Sequence, residues 1–302
     1  MINNMPGRRK QRFRVTVIAS LILVYFLIWV GSFVRSTGAG MGCPDWPKCF
    51  GQWIPPTHAS QLPENYRAIY SDRGYDQLEF NPVKTWTEYL NRLTGSIIGL
   101  SVILTFAAAV YARKELPKFS PSLCALAVGM IGFQGWLGAT VVATVLTPWV
   151  ITLHMGVAIL IIVLLNIILA RTSVARRPKP DLALRIATLA VTVQFILGSQ
   201  VRQLVDQGAA ATGLLAVGKV YLIHRSMSWV VLASAGFLGI RWYRAGLMGI
   251  SLLILTPLAF QITSGIVFSQ WGLVAALQPI HLTAAAITIG TLAYAWTPQG
   301  SD

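Results

Sequence analysis

Apolar runs of about 20 residues recur eight times along this chain, and each is long enough to cross a hydrocarbon core of ~30 Å as a helix. Lipid offers the backbone no hydrogen-bond partner, so segments of this kind satisfy their amides internally, as helices. Only 11% of the residues are charged, against about 25% in a soluble domain. A soluble globular enzyme, a disordered chain and a disulfide-rich secreted module are thereby excluded. Hydropathy and breakers together place the spans at about 15–34, 87–111, 121–143, 150–170, 184–204, 219–240, 246–268 and 275–297. The first begins with basic residues like a signal peptide, but it lacks a small-residue cleavage site and reads as a retained span. The expected fold is an all-α membrane protein of eight transmembrane helices.

The net charge of +14 would suit a nucleic-acid partner if the basic residues formed one patch, but they do not. Of the 24 Lys and Arg residues, 15 lie before the first span or in the connections after the second, fourth and sixth (Arg8 to Arg14, Arg113 to Lys118, Arg171 to Arg185, Arg241 and Arg244). Seven fall on the opposite side (Arg35, Lys48, Arg67, Arg73, Lys84, Arg202 and Lys219), and Arg92 and Arg225 lie within spans. This is the positive-inside pattern. It predicts a multi-pass protein of the cell inner membrane, surrounded by lipid, with both termini cytoplasmic and the large loop periplasmic. No nucleic-acid partner is expected.

An internal repeat is visible in the chain itself. Gly31-Ser32-Phe33-Val34-Arg35 recurs as Gly198-Ser199-Gln200-Val201-Arg202, 167 positions later. Phe133-Gln134, Gly138 and His154 recur as Phe260-Gln261, Gly265 and His281 at an offset of 127, and Asn91-Arg92 aligns with His224-Arg225 at 133. The expected organisation is two parallel-repeated four-helix bundles. A basic segment 1–14 precedes an N-terminal half, 15–171, which contains the outer loop 35–86; a linker 172–183, a C-terminal half 184–297 and a tail 298–302 follow. Six of the 15 prolines (Pro44, Pro47, Pro55, Pro56, Pro63 and Pro82) fall in that loop. Gly95-x-x-x-Gly99 permits close helix contact within or between chains, which leaves a homo-oligomer open.

Three of the four histidines lie in spans: His154, His224 and His281. Each falls four to six residues from the periplasmic end of its span, which is roughly 6–9 Å deep at the helical rise. A single buried histidine is ordinarily a hydrogen-bonded core residue. Three at one depth and at repeat-related positions point to a functional interior. No cysteine or carboxylate cluster shares that depth, so the pattern is not that of a zinc site. Two imidazoles on facing helices of a four-helix unit can hold a haem iron from both sides, and His224 with His281 is the expected pair. The first half departs from this. Its slot matching His224 holds Asn91, so it offers a haem only His154. One half therefore suits a fixed redox cofactor, the other a haem that enters and leaves.

Glu88 lies three positions before Asn91, on the same helix face, where the second half has Tyr221. It reads either as a solvated helix cap or as an interior carboxylate equipped for proton transfer or for stabilising a developing cation. Arg92 and Arg225 directly follow the ligand slots; they read as propionate partners or as arginines snorkelling to the interface. Cys43-Pro-Asp-Trp-Pro-Lys-Cys49 lies in the outer loop, where a disulfide persists, and both a structural bridge and a redox-active pair fit it. Cys124 reads as packing, His58 as a loop hydrogen-bonder.

Val34-Arg35-Ser36-Thr37-Gly38-Ala39-Gly40, the Cys43-to-Cys49 segment, Glu88-Tyr89-x-Asn91-Arg92, Gln134-Gly135-Trp136-Leu137-Gly138 and the histidine-bearing spans strongly resemble the haem A synthase family, over about residues 15–297. The resemblance implies an eight-helix duplicated bundle that oxidises the C8 methyl of haem O to a formyl group. It implies a haem b cofactor on His224 and His281, substrate in the first half, Glu88 as the catalytic glutamate and Cys43 and Cys49 as the loop pair. Haem O synthase and cytochrome oxidase assembly are the partners that follow. The family pattern has histidine where this chain has Asn91, which leaves His154 as the single protein ligand for the substrate iron, with Asn91 and Arg92 lining that pocket. Two competitors make different predictions. A quinol-linked b-type cytochrome would hold permanent haem in both halves, and a transporter of parallel repeats would have discontinuous helices and polar groups at the midplane.

Overall fold

The structure, a computed structural model, describes residues 7–208 and 213–298. The start of the expected N-terminal segment (1–6), four residues of the connection before the sixth span (209–212) and most of the expected tail (299–302) lie outside the described residues. Among the described residues the ordered elements are all helical: α1 (Arg8–Ser36), α2 (Tyr66–Ile69), α3 (Pro82–Tyr111), α4 (Ser120–Ala143), α5 (Pro148–Thr172), α6 (Leu182–Asp206), α7 (Lys219–Arg244), α8 (Met248–Trp271) and α9 (Leu277–Trp296), with three short 3-10 turns. A single antiparallel bridge joins Cys49 and Gln52 in the loop.

Local chemistry sets several of the helix starts. The Asn81 side chain caps α3, accepting from the Lys84 N–H at 3.1 Å, and Pro82 occupies the first helical position, where its missing N–H costs nothing. Asp181 caps α6 in the same way, accepting from Leu184 N at 2.9 Å, and it also pairs with Arg241 of α7 at 2.7 Å. Slight burial pushes the Asp181 carboxyl up, but these donors outweigh it and hold it below the usual carboxylate range.

Six helices, α1, α3, α4, α5, α6 and α8, are long and apolar enough to cross a membrane. The expectation of eight is thus met in part, and the reason is chemical. The two helices that fall short are α7 and α9, which carry His224 and His281. Lys219, Arg225, Arg241 and Arg244 dilute the apolar content of α7, and Gln278, His281 and three threonines dilute that of α9. Both are nonetheless membrane-length, with 26 and 20 residues.

Helix α1 packs on α3, α3 on α4, α4 on α5 and α5 back on α1; α6, α7, α8 and α9 close a second circuit in the same order. The first circuit encloses a core around Phe13, Ile98, Leu137, Ile161 and Leu165, the second a core around Leu184, Leu238, Trp242 and Ile254. Contact between circuits runs through α9 against α1 and α5. The approach is closest at Gly290 of α9. A Cβ there would lie 2.1 Å from Tyr25 Oη, 2.6 Å from Asn166 Nδ2 and 2.9 Å from Ile162 Cγ2, so any side chain would force the helices apart. Gly99 of α3 faces Ile131 of α4 within the chain, one use of the small-residue spacing.

The connection between α1 and α3 forms a small core of its own. Phe50 is buried and meets Tyr66, Tyr70, Tyr75 and Phe80 edge-on at centroid distances of 5.2–6.1 Å. Cys43 and Cys49 are joined by a disulfide within this cluster. Burial, with the charge of nearby Asp45, pushes the Tyr70 hydroxyl up to about 12, so the ring stays neutral and packs as an apolar group. The loop is tied to the helices by Tyr89 Oη donating to Trp53 O at 2.5 Å and Arg73 Nη1 donating to Val142 O at 3.0 Å. The bundle end carrying it is called the loop end below.

Candidate functional site

Three histidines and the buried Glu88 lie toward the loop end of their helices. His154 lies six residues past the start of α5, His224 five past that of α7, His281 four past that of α9 and Glu88 six past that of α3. At 1.5 Å per residue these depths differ by about one helical turn at most.

One repeat-related glycine pair makes matching contacts, whereas Gly265, the mate of Gly138, has nothing within 4 Å of its Cβ position. Gly31 of α1 faces Asn91, with a Cβ position 3.9 Å from the amide Oδ1, and its repeat mate Gly198 of α6 faces His224, with a Cβ position 3.1 Å from ring Cε1. Gly138 of α4 likewise backs onto the ring of His154 at 3.5 Å. In each case glycine lets the neighbouring backbone approach the ligand slot, and at Gly198 even a methyl group would press on the imidazole.

The imidazoles differ in their partners. His281 Nδ1 lies 2.7 Å from Ser264 Oγ, and its ring packs 5.5 Å from that of Phe268. This fixes the ring and leaves Nε2 free to act as a ligand. His224 of α7 faces α6. Its Nε2 makes a 3.5 Å contact with Gln194 Nε2, while its Nδ1 is buried without a hydrogen-bond partner. His154 Nδ1 is buried and unpartnered too, as are the Oε1 atoms of Gln134 and Gln194. Both glutamines are held by their other ends: Gln134 donates to His154 O at 2.9 Å and Gln194 to Ser228 Oγ at 2.9 Å. Buried polar atoms are ordinarily bonded. Unpartnered nitrogens on imidazoles at one depth are what a metal-bearing ligand would satisfy, so these residues fit a haem. No group of three or more His, Cys, Asp or Glu able to hold a bare metal ion occurs among the described residues.

Glu88 is 5% exposed, so of its two readings the interior carboxylate is the one realised. Its partner is Arg92, whose Nε lies 3.0 Å from Glu88 Oε1. The same guanidinium donates from Nη1 to Asp45 O at 2.6 Å and Lys48 O at 3.1 Å, and from Nη2 to Cys43 O at 3.1 Å. Arg92 thus pins the buried carboxylate to the disulfide loop. Its sequence neighbourhood suggested a haem propionate; these four acceptors use four of its five N–H donors, which leaves one on Nη2. Arg225, its repeat mate, is exposed, and the Tyr221 ring that replaces Glu88 packs with Val201 and Val217. Cys124 is buried in the helical core and His58 is exposed in the loop.

Residue spacing did not reveal Gln194, Ser264 or the loop carbonyls bound by Arg92, because each contact joins segments far apart in the chain. Gln134 was visible only as part of a motif.

A helical bundle of membrane-length segments, with imidazoles, glutamines and a buried carboxylate gathered toward one end, defines a multi-pass membrane protein with an interior polar site. A family model, COX15-CtaA, described as cytochrome oxidase assembly protein, matches residues 14–293, and the chain belongs to that family. Among curated proteins it is similar to a heme A synthase of Shewanella oneidensis, 30% identical over 192 residues that cover 62% of this chain and 53% of the relative. It is also similar to one of Shouchella clausii, 34% identical over 144 residues (47% and 40%), and to one of Cereibacter sphaeroides, 27% identical over 216 residues (65% and 54%). The chain spans about half the length of the curated relatives it matches.

Proposed function

We propose that this protein is a haem A synthase, which oxidises the C8 methyl of haem O to a formyl group by two successive hydroxylations and loss of water. In this reading all eight long helices cross the inner membrane as two parallel-repeated four-helix bundles. The excess of basic residues opposite the loop end supports a periplasmic loop and a cytoplasmic opposite end. Haem O arrives from a haem O synthase, and the product serves cytochrome oxidase assembly.

The observation that carries this reading is the asymmetry of the two halves. The second half has two imidazoles, His224 and His281, which would hold a haem b. When bound, that cofactor supplies one-electron transfer inside the bundle. The first half has one imidazole, His154, with Asn91 where the repeat has its second, and it carries the buried Glu88 three residues before Asn91. An amide binds iron poorly beside an imidazole, so haem is held there by one protein ligand and is free to leave as product.

Glu88 is the group placed to act on the substrate's methyl carbon. Each hydroxylation passes two electrons from that carbon to an external acceptor, takes its oxygen from water and releases two protons; a carboxylate beside the carbon would stabilise the developing cation and accept one of those protons. Arg92, its ion-pair partner on the same helix, holds the carboxylate in position. Its hydrogen bonds to the Asp45, Lys48 and Cys43 carbonyls tie the disulfide loop to the helix that carries Glu88. Arg225, free of such ties, remains the propionate partner in the second half.

The test is extraction of haem from cells that make haem O, with and without this protein. A formyl-bearing haem that appears only with the protein supports the reading. Haem retained with no formyl product would make it an electron-transferring b-type cytochrome instead.

A further inference from the structure

The arginines that end the two copies of the Gly-Ser-x-Val-Arg motif, Arg35 on α1 and Arg202 on α6, are 167 residues apart and meet on one carboxylate. Arg35 donates to Asp206 Oδ2 from Nε at 2.8 Å and Nη2 at 2.5 Å, and Arg202 Nη2 lies 2.7 Å from Asp206 Oδ1. Arg202 Nη2 also donates to Arg35 O at 3.4 Å. Each arginine then reaches a histidine-bearing helix. Arg35 Nη1 lies 3.2 Å from the sulfur of Met155, the residue after His154. Arg202 Nη1 donates to Gln278 Oε1, three residues before His281. Two guanidinium groups against one carboxylate leave a positive charge uncompensated, and the three side chains are only 21–30% exposed. A partly desolvated cation pair of this kind favours a second carboxylate, which the planar fork of arginine binds through paired N–H donors.

We propose that Arg35 and Arg202, bridged by Asp206, form a carboxylate-binding site between the two halves, and that its ligands are propionates of haems bound beside His154 and His281. The inference rests on the haem-binding reading above and extends it by naming what grips the porphyrin edge. Asp206 holds the two cations together when no haem is bound and competes with the propionates for them. The shared carboxylate also ties the edge of one haem site to the edge of the other.

The test is a spectral titration of the purified full chain with haem b and, separately, with its dimethyl ester, which carries no propionate charge. The native chain is expected to bind the free acid roughly tenfold or more tightly, the scale of one charge-assisted hydrogen bond. In the double variant Arg35→Gln, Arg202→Gln that preference falls to near unity while affinity for the ester is kept. In Asp206→Asn, which removes the competing carboxylate, the preference rises. A double variant that keeps the native preference overturns the proposal, and so does one that weakens both ligands equally, since that marks a structural role. Replacing His154, His224 and His281 together by Ala separates the two levels: if haem binds regardless of the imidazoles, the underlying reading fails, whereas imidazole-dependent binding without a free-acid preference sinks only the propionate site.

Discussion

The two halves place glycine against the ligand slot in the same way and differ in what occupies the slot. Gly31 faces Asn91 in the first half, and Gly198 faces His224 in the second. Around this shared frame the first half carries a buried ion pair, Glu88 with Arg92, and a disulfide-bonded loop held by that arginine. The second carries Tyr221 in an apolar cluster and a serine fixed to His281. The two halves thus share a frame and differ in a few side chains. The half that loses an imidazole is the half that gains a carboxylate and a cover.

The sharpest way to break this comparison is at Glu88. Because its partner is Arg92, Glu88→Gln is cleaner than Glu88→Ala, which would leave a buried cation unpaired. Formyl-haem production by Glu88→Gln is expected to fall by about 10²–10⁴-fold, the usual worth of a positioned proton acceptor, with bound haem unchanged; a normal yield of haem A would remove Glu88 from the chemistry.

Exchanging the slots sharpens the comparison further. His224→Asn should weaken retained haem by about 10- to 100-fold or more and abolish the spectrum of a two-imidazole iron. Asn91→His should raise the haem retained per chain after purification and slow its release. If Asn91→His leaves haem content unchanged, the two slots are not equivalent.

The contact between halves is probed at Gly290. Gly290→Ala drives a methyl into Tyr25 and Asn166 and should cost about 1–3 kcal/mol, read as a lowered melting temperature in detergent. Gly129→Ala, where nothing lies within 4 Å of the Cβ position, serves as the neutral control.

The smallest effect is expected at Ser264. Ser264→Ala removes the partner of His281 Nδ1 and should weaken haem binding by roughly tenfold at most while shifting its midpoint potential, measured by redox titration. Ser264→Thr should restore most of both, and an unchanged potential in the alanine variant would mean that the serine does not set the ring.

Much of the frame was legible in the sequence, because it depends on properties that neighbouring residues share. Hydropathy over about 20 residues locates the eight long helices, with ends corrected by one turn or two at α1, α3, α7 and α8. Repeat spacing alone pairs Gly31 with Gly198 and Asn91 with His224. The apolarity of α7 and α9 was overestimated, since the polar residues that give those helices their chemistry also lower their hydropathy. The burial of Glu88 was left open, since the same carboxylate one turn inside a helix is a solvated cap or an interior group depending on what covers it.

The chain's own residues dictated helical segments, their order, the basic asymmetry between the two sides and imidazoles at a common depth. These follow from side-chain transfer energies and helical rise, which act locally. Only the tertiary structure decided that Arg92 spends its donors on Glu88 and on three loop carbonyls, that Ser264 fixes His281, and that Arg35 and Arg202 share Asp206. Each of these joins residues on different elements, and a hydrogen bond forms or fails over tenths of an ångström that only the packing of whole helices determines.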